Sequence, residues 1–334
     1  MKRQGSVNNE LRRLIARHFE HKTNTRDAFM KLLPRRLLLP ALLGLAALQP
    51  AQAIVVNSTF GAAGALAFGS GFSSVVQVTN SGIVCSGAVI SATAILTARH
   101  CTSGADPGLL GVMFDQNGDG FFDQTSAVVL KFELDATDMA ILTIGGALPA
   151  WATPFELFAG DPFAELVTMV GFGDRGVGSV QLQLGTGVRW AAENVVDAVG
   201  EAPFGGPGTS NIISTDFDDG TLDANTLVDL GSLATPLARE GTTAGGDSGG
   251  PLLINRGGIY LIGGVLSGGT TRDSRFGDIS WWTGVGNFRP DIERFGGVFF
   301  TAPTNNGVPE PGSLALALLA LVAVGGIGAR RNAS

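Results

Sequence analysis

The segment Gly-Gly-Asp-Ser-Gly-Gly-Pro at residues 245–251 stands out in this chain of 334 residues. Glycines on both sides of Ser248 permit backbone conformations with positive φ and let other chain segments approach the serine closely. A turn is the simplest interpretation, but seven residues of this composition are unusual for a turn. A serine hydroxyl is a weak nucleophile at neutral pH, so a chemical role for Ser248 needs a base beside it.

The choice of base is narrow, because the chain has three histidines and two of them, His18 and His21, precede a predicted export signal. The third, His100, lies in Thr-Ala-Arg-His-Cys, directly after an apolar run. A lone histidine is usually structural. However, the two cysteines, Cys85 and Cys101, allow one disulfide. That bridge would pin the histidine loop, and such a loop closure stabilises a fold by ~3 kcal/mol.

A candidate acid, Asp138, opens the segment Asp-Met-Ala-Ile-Leu. An acid at the start of a buried strand is costly unless it is paired. Taken alone, it fits an ordinary acid at a strand edge. Its position between His100 and Ser248 gives the order His, Asp, Ser along the chain.

Together these motifs resemble the chymotrypsin/trypsin-like serine proteases. The family's Gly-Asp-Ser-Gly-Gly-Pro is matched in full at residues 246–251, and its Thr-Ala-Ala-His-Cys is matched with Arg99 in place of the second alanine. Asp138 stands on the segment similar to the family's aspartate strand, and residues 171–173, Gly-Phe-Gly, are similar to its Gly-Trp-Gly. The resemblance spans most of residues 54–300 and keeps the family's order of motifs.

The resemblance implies a Ser-His-Asp triad. Ser248 would be the nucleophile and His100 its base, while Asp138 would orient His100 and stabilise its charged form. The main-chain N–H groups of Gly246 and Ser248 would bind the developing oxyanion. It also implies an all-β fold of two six-stranded antiparallel β-barrels. A short C-terminal helix is expected at residues 288–295.

The resemblance also assigns a substrate cleft. Ser267, Gly268 and Gly269 would hold the substrate backbone as an added strand. Thr242, at the base of the specificity pocket, does not select Arg or Lys as an aspartate would. Ala244 stands where many family members have a cysteine, so the pocket wall lacks a second disulfide and the specificity stays open.

The same resemblance predicts a route of activation. Cleavage after Ala53 would leave Ile54 as the mature amino terminus, and its ammonium would pair with Asp247, the aspartate before the nucleophile. The glycine-rich residues 61–71 would then have to form a loop. A buried, unpaired Asp247 would be costly, and an arginine or a backbone nest are alternative partners for it.

The composition favours an all-β body. The chain has 49 glycines, 7% aromatic and 15% charged residues, which excludes a disordered polyelectrolyte and a long coiled coil. Apolar runs are short and bounded by glycines, which is typical of a β-sandwich or of paired barrels. Residues 54–308 hold 10 Lys or Arg against 25 Asp or Glu, a net charge of −15, and this charge argues against nucleic-acid binding.

The amino-terminal segment is predicted to direct export. Residues 30–53 have a basic start, an apolar run and an Ala-Gln-Ala cleavage site, as in a secretory signal peptide. A buried core helix is the alternative. The polar, basic residues 1–29 are either an extended leader or precede the true start at Met30, which we favour.

The carboxyl-terminal residues 308–334 begin with Val-Pro-Glu-Pro, continue in an apolar run and end near two arginines. They resemble the PEP-CTERM sorting signal of Gram-negative bacteria, which implies processing by an exosortase and delivery to the cell surface or extracellular matrix. The apolar run would anchor the protein in the membrane transiently, with its arginines in the cytoplasm. A permanent tail anchor is the alternative. Residues 301–307 are predicted to be a linker.

An acidic loop at residues 115–123, Asp-Gln-Asn-Gly-Asp-Gly-Phe-Phe-Asp, matches the first nine positions of an EF-hand-like calcium loop. The predicted oxygen ligands belong to Asp115, Asn117, Asp119, Phe121 and Asp123. Ser126 stands where the bidentate glutamate would be. A solvated acidic hairpin is the alternative, and residues 216–223 are expected to form a second solvated acidic loop.

These motifs predict a secreted serine endopeptidase. It would need no cofactor for catalysis, act on proteins or peptides, and be processed by signal peptidase and an exosortase-type enzyme. An inactive protease fold that serves as a surface or matrix binding module is the main alternative, and an esterase is a weaker one. The complete triad favours the peptidase, because a binding module does not need the only histidine of the exported body.

Overall fold

Short β-strands separated by glycine-rich turns make up most of the chain. The structure, a computed structural model, describes residues 54–178, 185–200, 211–271 and 274–302. The elements are β1 Val55–Val56, α1 Gly61–Gly69, β2 Val75–Asn80, β3 Ile83–Val89, β4 Ala94–Thr97, β5 Leu110–Phe114, β6 Gln124–Glu133, β7 Ala140–Ile144, β8 Glu156–Leu157, β9 Leu166–Gly171, β10 Gly176–Val177, β11 Trp190–Val195, β12 Ala198–Gly200, β13 Ile212–Asp216, β14 Gly241–Thr242, β15 Pro251–Arg256, β16 Ile259–Gly269, β17 Ile279–Gly284 and α2 Arg289–Arg294.

The first half of the body is a closed barrel with the strand order β2-β3-β4-β7-β6-β5. All of its strand pairs are antiparallel. Strand β5 shows why the barrel has an apolar interior, because Leu110, Val112 and Phe114 are buried while the residues between them are half-buried. This alternation follows from the two-residue period of side chains along a strand.

The second half is a curled sheet with the order β11-β9-β15-β16-β17-β13-β12, to which β8 adds as a parallel partner of β16. Its core includes Val167, Met169, Leu252, Ile254 and Trp282, all nearly inaccessible to solvent. The predicted all-β, chymotrypsin-type fold is therefore confirmed. In the described part of the chain the second predicted barrel is this curled sheet, which does not close.

A small third sheet has the order β10-β1-β14. Val55 pairs with Gly176 in parallel and with Thr242 in antiparallel orientation. Ile54, directly before β1, is fully buried. The sheet therefore fixes the predicted mature amino terminus inside the body, beside the segments that lead into β10 and out of β14.

Helix α1 occupies residues that were expected to form a loop. Its sequence, Gly-Ala-Ala-Gly-Ala-Leu-Ala-Phe-Gly, is rich in alanine, the strongest helix former. Gly69 allows the helix to lie against β11, because a Cβ atom there would come within 2.5 Å of the carbonyl oxygen of Arg189. The loop expectation for residues 61–71 was wrong for residues 61–69, because the alanines between the glycines favour a helix and Gly69 serves close packing.

The predicted C-terminal helix is confirmed as α2, with Pro290 in its first turn. No helix in the described ranges is long and apolar enough to cross a membrane. The predicted signal peptide at residues 30–53, the leader at residues 1–29 and the sorting segment at residues 308–334 lie outside the described residues, as does most of the predicted linker.

Candidate active site

His100 and Asp138 meet at one end of the first barrel. His100 lies in a 3-10 turn that follows β4, and Asp138 lies just before β7, the antiparallel neighbour of β4. One carboxylate oxygen of Asp138 is 2.7 Å from Nδ1 of His100, and the other accepts the main-chain N–H of His100 at 2.9 Å. One oxygen of Asp138 thus orients the His100 ring through Nδ1, and the other holds the main chain of the same residue.

The disulfide between Cys85 and Cys101 is present as predicted. Its sulfur atoms and a ring nitrogen of His100 lie within 4.8 Å of one another. Because the two sulfurs are bonded to each other, this group is not a metal site. The disulfide ties the turn that carries His100 to β3.

Ser248 lies in a turn that glycines make possible. Gly246 and Gly249, on either side, have φ angles of +93° and +83°. A Cβ atom on Gly249 would come within 2.2 Å of the Thr97 hydroxyl oxygen, so only glycine fits there. Ser248 is half-buried, and its carbonyl oxygen accepts the N–H of Ser86 at 2.8 Å. The Ser248 hydroxyl has no hydrogen-bond partner among the described residues.

Ser86 anchors this turn, and the motif analysis missed it. Its hydroxyl donates to the carbonyl of Gly246 at 3.1 Å and accepts the N–H of Phe172 at 2.9 Å. Its own carbonyl accepts the hydroxyl of Thr97 at 2.7 Å. Ser86 is fully buried, and the only sequence signal for it is its place next to Cys85.

The turn leaves two main-chain donors available. The N–H groups of Asp247, Gly249 and Gly250 donate to carbonyl oxygens. Within the described residues, the N–H groups of Gly246 and Ser248 make no such bond. These are the two groups that the sequence assigns to an oxyanion hole.

Asp247 is almost completely buried under the turn. Its carboxylate accepts the N–H of Gly173 at 3.1 Å and that of Ala244 at 3.0 Å. Gly171 is required beside it, since a Cβ atom there would lie 2.0 Å from a carboxylate oxygen of Asp247. Burial raises the pKa of Asp247 well above its ordinary value, and the charge of Asp174 adds to this effect.

A second buried acid, Asp174, lies next to Asp247. One of its carboxylate oxygens is buried and has no hydrogen-bond partner in the described part of the chain. Burial raises the pKa of Asp174 to about 6, although the charge of Arg175 opposes the shift. Two buried carboxyl groups therefore lie together, and one oxygen of Asp174 lacks a hydrogen-bond partner among the described residues.

The floor of the predicted specificity pocket consists of hydroxyl groups. The hydroxyl of Thr242 is 2.9 Å from that of Ser280, which is also 2.7 Å from the hydroxyl of Thr243. All three residues are buried. Asp278 does not join this floor as a free charge, because its carboxylate accepts the hydroxyl of Thr271 and the N–H of Arg275.

The predicted substrate-binding strand lies at the end of β16. Gly268 pairs with Trp281 and Gly269 with Ser280 of β17. The opposite neighbour of β16, strand β15, pairs only as far as Val265. Residues 267–269 therefore have one edge that no described strand covers.

The acidic loop at residues 115–123 is closed by its own backbone. The carboxylate of Asp115 accepts the N–H groups of Gly118 and Gly120 at 2.7 and 2.8 Å. The guanidinium of Arg189, fully buried, donates to the carbonyl of Asp115 at 2.7 Å. Calcium binding by this loop stays a prediction, and an ion there would have to compete with these N–H donors.

Arg99, the departure from the family's histidine motif, lies away from the reactive groups. Its Nε atom is 3.2 Å from a carboxylate oxygen of Glu133. The main-chain N–H of Arg99 donates to the carbonyl of Asp138 at 3.2 Å. The arginine therefore supports the turn that carries His100 and does not displace it.

Comparison with known families agrees with the resemblance seen in the sequence. The Trypsin family model matches residues 65–226, which include His100 and Asp138 but end before Ser248. The PEP-CTERM protein-sorting motif matches residues 307–332. No individual curated protein matches the chain. Both resemblances predicted from the sequence are thus confirmed.

Proposed function

We propose that this chain, with its trypsin-like domain and its PEP-CTERM motif, is an exported serine endopeptidase. The observation that carries the proposal is the His100–Asp138 pair, whose neighbour Cys101 has its sulfur 3.6 Å from the carbonyl oxygen of Ser248 in the glycine-rich turn. The same arrangement argues for an active enzyme, because a binding module needs neither an oriented imidazole nor free main-chain donors at a serine.

In the proposed mechanism, Ser248 Oγ attacks the substrate carbonyl while His100 takes its proton. Asp138 accepts a hydrogen bond from Nδ1–H of His100. This contact leaves Nε2 as the basic nitrogen and stabilises the imidazolium that forms, while the proton stays on Nδ1. The N–H groups of Gly246 and Ser248 donate to the oxyanion of the tetrahedral intermediate. His100 then protonates the leaving amine, and water hydrolyses the acyl-enzyme by the reverse sequence.

The proposed substrates are proteins or peptides whose backbone adds to the free edge of residues 267–269. The side chain before the scissile bond would contact Thr242, Thr243 and Ser280. Because this floor carries hydroxyl groups and no charge, we expect little preference for Arg or Lys.

We also propose that cleavage after Ala53 activates the enzyme through the ammonium of Ile54. Strand β1 runs parallel to β10 and antiparallel to β14, so its amino end points toward Asp174 and Ala244. Asp247 already accepts two backbone N–H groups, whereas Asp174 has an unpartnered buried oxygen. We therefore expect the new ammonium to pair with both acids, with Asp174 as a second partner beside Asp247.

The sorting motif indicates export in a Gram-negative bacterium with membrane-associated processing. We propose that signal peptidase removes the leader, that the C-terminal segment anchors the protein transiently, and that an exosortase-type enzyme then processes it for the cell surface or extracellular matrix.

A fluorophosphonate probe tests the proposed function, because it labels only an activated serine. The wild-type protein should be labelled, and Ser248→Ala and His100→Ala should each abolish labelling and peptide hydrolysis. Ser103→Ala is a matched control, since Ser103 is an exposed serine near His100 that bonds only to the carbonyl of Arg99. Labelling that persists in Ser248→Ala would refute the triad, and a folded wild-type protein without labelling would favour the binding module.

A further inference from the structure

A cluster of buried acids lies in the second half of the body, away from the triad. It consists of Asp197 after β11, Asp216 and Asp218 at the end of β13, and Glu240 before β14. Their exposed fractions are 8%, 1%, 5% and 2%. The expectation of a solvated loop at residues 216–223 is therefore wrong for Asp216 and Asp218, because their side chains are buried. Asp219 and Asp223 are exposed, as expected.

The cluster has more oxygen acceptors than donors. Asp216 is satisfied by the hydroxyl of Ser232 and the N–H of Leu227. One oxygen each of Asp218 and Glu240 is buried with no hydrogen-bond partner in the described ranges. Glu240 comes from a separate chain segment, and the N–H of Leu237 holds its other oxygen at 2.8 Å.

The neighbouring charges that shift the pKa values of Asp197, Asp218 and Glu240 are all negative. Burial raises the pKa of Asp197 and of Asp218 to about 7, and the charge of Asp216 adds to both shifts. Burial likewise raises the pKa of Glu240 to about 8, with the charges of Asp218 and Asp197 adding to it. Buried carboxylates persist in proteins when they are paired or coordinate a metal ion.

We propose that Asp197, Asp216, Asp218 and Glu240 bind a divalent cation, with Ca²⁺ as the preferred ion. Calcium takes six to eight oxygen ligands in flexible geometry, and carboxylates with carbonyl and amide oxygens are its usual partners. The amide oxygen of Asn225 is also buried and unpartnered, and its amide nitrogen bonds to Ser232, the residue that caps Asp216.

The ion must draw the acids together. Asp197 and Asp216 are adjacent, since the N–H of Asp216 donates to Asp197 at 3.1 Å. Among the described residues, however, only the group of His100 and the two cysteines has three ligand atoms within 4.8 Å of one another. A cavity of about 260 Å³, lined by Asp197, Ser214 and apolar side chains, reaches one acid of the cluster.

Binding there would brace the substrate pocket, a consequence that rests on the proposed function. The amide of Asn194 donates to the carbonyl of Asp216 at 2.7 Å and to that of Gly241 at 3.0 Å. Gly241 lies between Glu240 and Thr242, the floor of the pocket. The ion would therefore tie the end of β13 to β14 at the point where the pocket begins.

The test uses binding and thermal stability, so it does not depend on peptidase activity. The exported protein carrying Ser248→Ala is titrated with Ca²⁺ by calorimetry, and its melting temperature is measured with chelator and with Ca²⁺. At Ca²⁺ one hundred times above Kd, we expect a rise of about 5–10 °C. Glu240→Gln and Asp218→Asn, each added to this protein, should lose the rise.

Two controls separate the cluster from other acids. Asp229→Asn, an exposed acid of the same segment, and Asp119→Asn in the loop at residues 115–123 should both keep the response at the cluster. With chelator at pH 8, Glu240→Gln should melt at or above the temperature of its parent, because it removes an unpaired buried charge. A full calcium response in both Glu240→Gln and Asp218→Asn, or no response to Ca²⁺ in the parent, would overturn the proposal.

Discussion

Ser86→Ala is the substitution that best separates the support of the nucleophile turn from its chemistry. It removes one hydroxyl that donates to the carbonyl of Gly246 and accepts the N–H of Phe172. Both partners then lose a bond, and a buried group left unsatisfied costs about 1–3 kcal/mol. With two such groups, we expect a loss of about 2–6 kcal/mol in the free energy of unfolding, which corresponds to roughly 4–24 °C in melting temperature for a domain of this size.

The same change should slow the proposed reaction. Without Ser86 the carbonyl of Gly246 is less firmly held. The N–H of Gly246 lies in the preceding peptide unit and is joined to that carbonyl through the φ and ψ angles of Gly246, so it should be less well aimed at the oxyanion. Loss of a whole oxyanion donor lowers kcat by about 10²–10³, and we expect a smaller fall of roughly 10- to 100-fold here, with little change in KM.

Ser91→Ala is the matched control. Ser91 also donates to one carbonyl, that of Phe295 at 2.9 Å, and accepts one N–H, that of Ala94 at 3.2 Å. It should lose some stability and keep its kcat. Calorimetry gives the melting temperatures of the two variants, and steady-state kinetics gives their kcat values. If Ser86→Ala melts within 2 °C of wild type, by the same scale, or matches Ser91→Ala in kcat, the reasoning about the anchor is wrong.

Three further predictions address the terminus, the loop and pH. One extra alanine before Ile54 should abolish peptide hydrolysis and leave the circular dichroism spectrum unchanged, because the ammonium would miss its acids; full activity would mean that backbone N–H groups suffice for Asp247. If the loop at residues 115–123 binds Ca²⁺, Asp119→Asn should lower the number of ions bound in calorimetry by one, and an unchanged stoichiometry would leave the loop as a turn. With chelator present, the free energy of unfolding should fall as the pH rises from about 4 to about 8. Burial raises the pKa of Asp218 to about 7 and that of Glu240 to about 8, so in this range the folded chain binds protons that the unfolded chain releases. A flat profile of melting temperature against pH would contradict this.

The candidate triad could be proposed from the sequence because its residues lie in contiguous motifs, and the structure shows the His100–Asp138 contact within it. Ser248 sits among glycines, His100 sits between an apolar run and Cys101, and Asp138 opens an apolar strand. Each pattern reflects a local requirement, such as a positive φ or a buried strand, and such requirements determine the residue types next to the functional residue. The disulfide was predictable because the chain has only two cysteines.

The supporting residues were not predictable for the opposite reason. Ser86 and Ser280 are single serines in strands, and their roles depend on partners 160 and 38 residues away in the chain. Asp216 and Asp218 read as solvated acids because charged residues are mostly exposed. Their burial arises only when β13 pairs with β17 and the segment that ends in Glu240 closes over them.

The disulfide has a consequence for where the proposed peptidase could act. Cys101 is the residue next to His100, and its sulfur lies 3.6 Å from the carbonyl oxygen of Ser248, so the disulfide lies beside the main chain of both candidate catalytic residues. Cytoplasmic thiols are kept reduced, whereas the bacterial periplasm and the exterior favour oxidation. A newly made chain would therefore lack the tie that steadies its histidine until it has left the compartment of synthesis. If the chain is the peptidase proposed above, the reducing cytoplasm would protect the producing cell, because the histidine turn would become tied only after export.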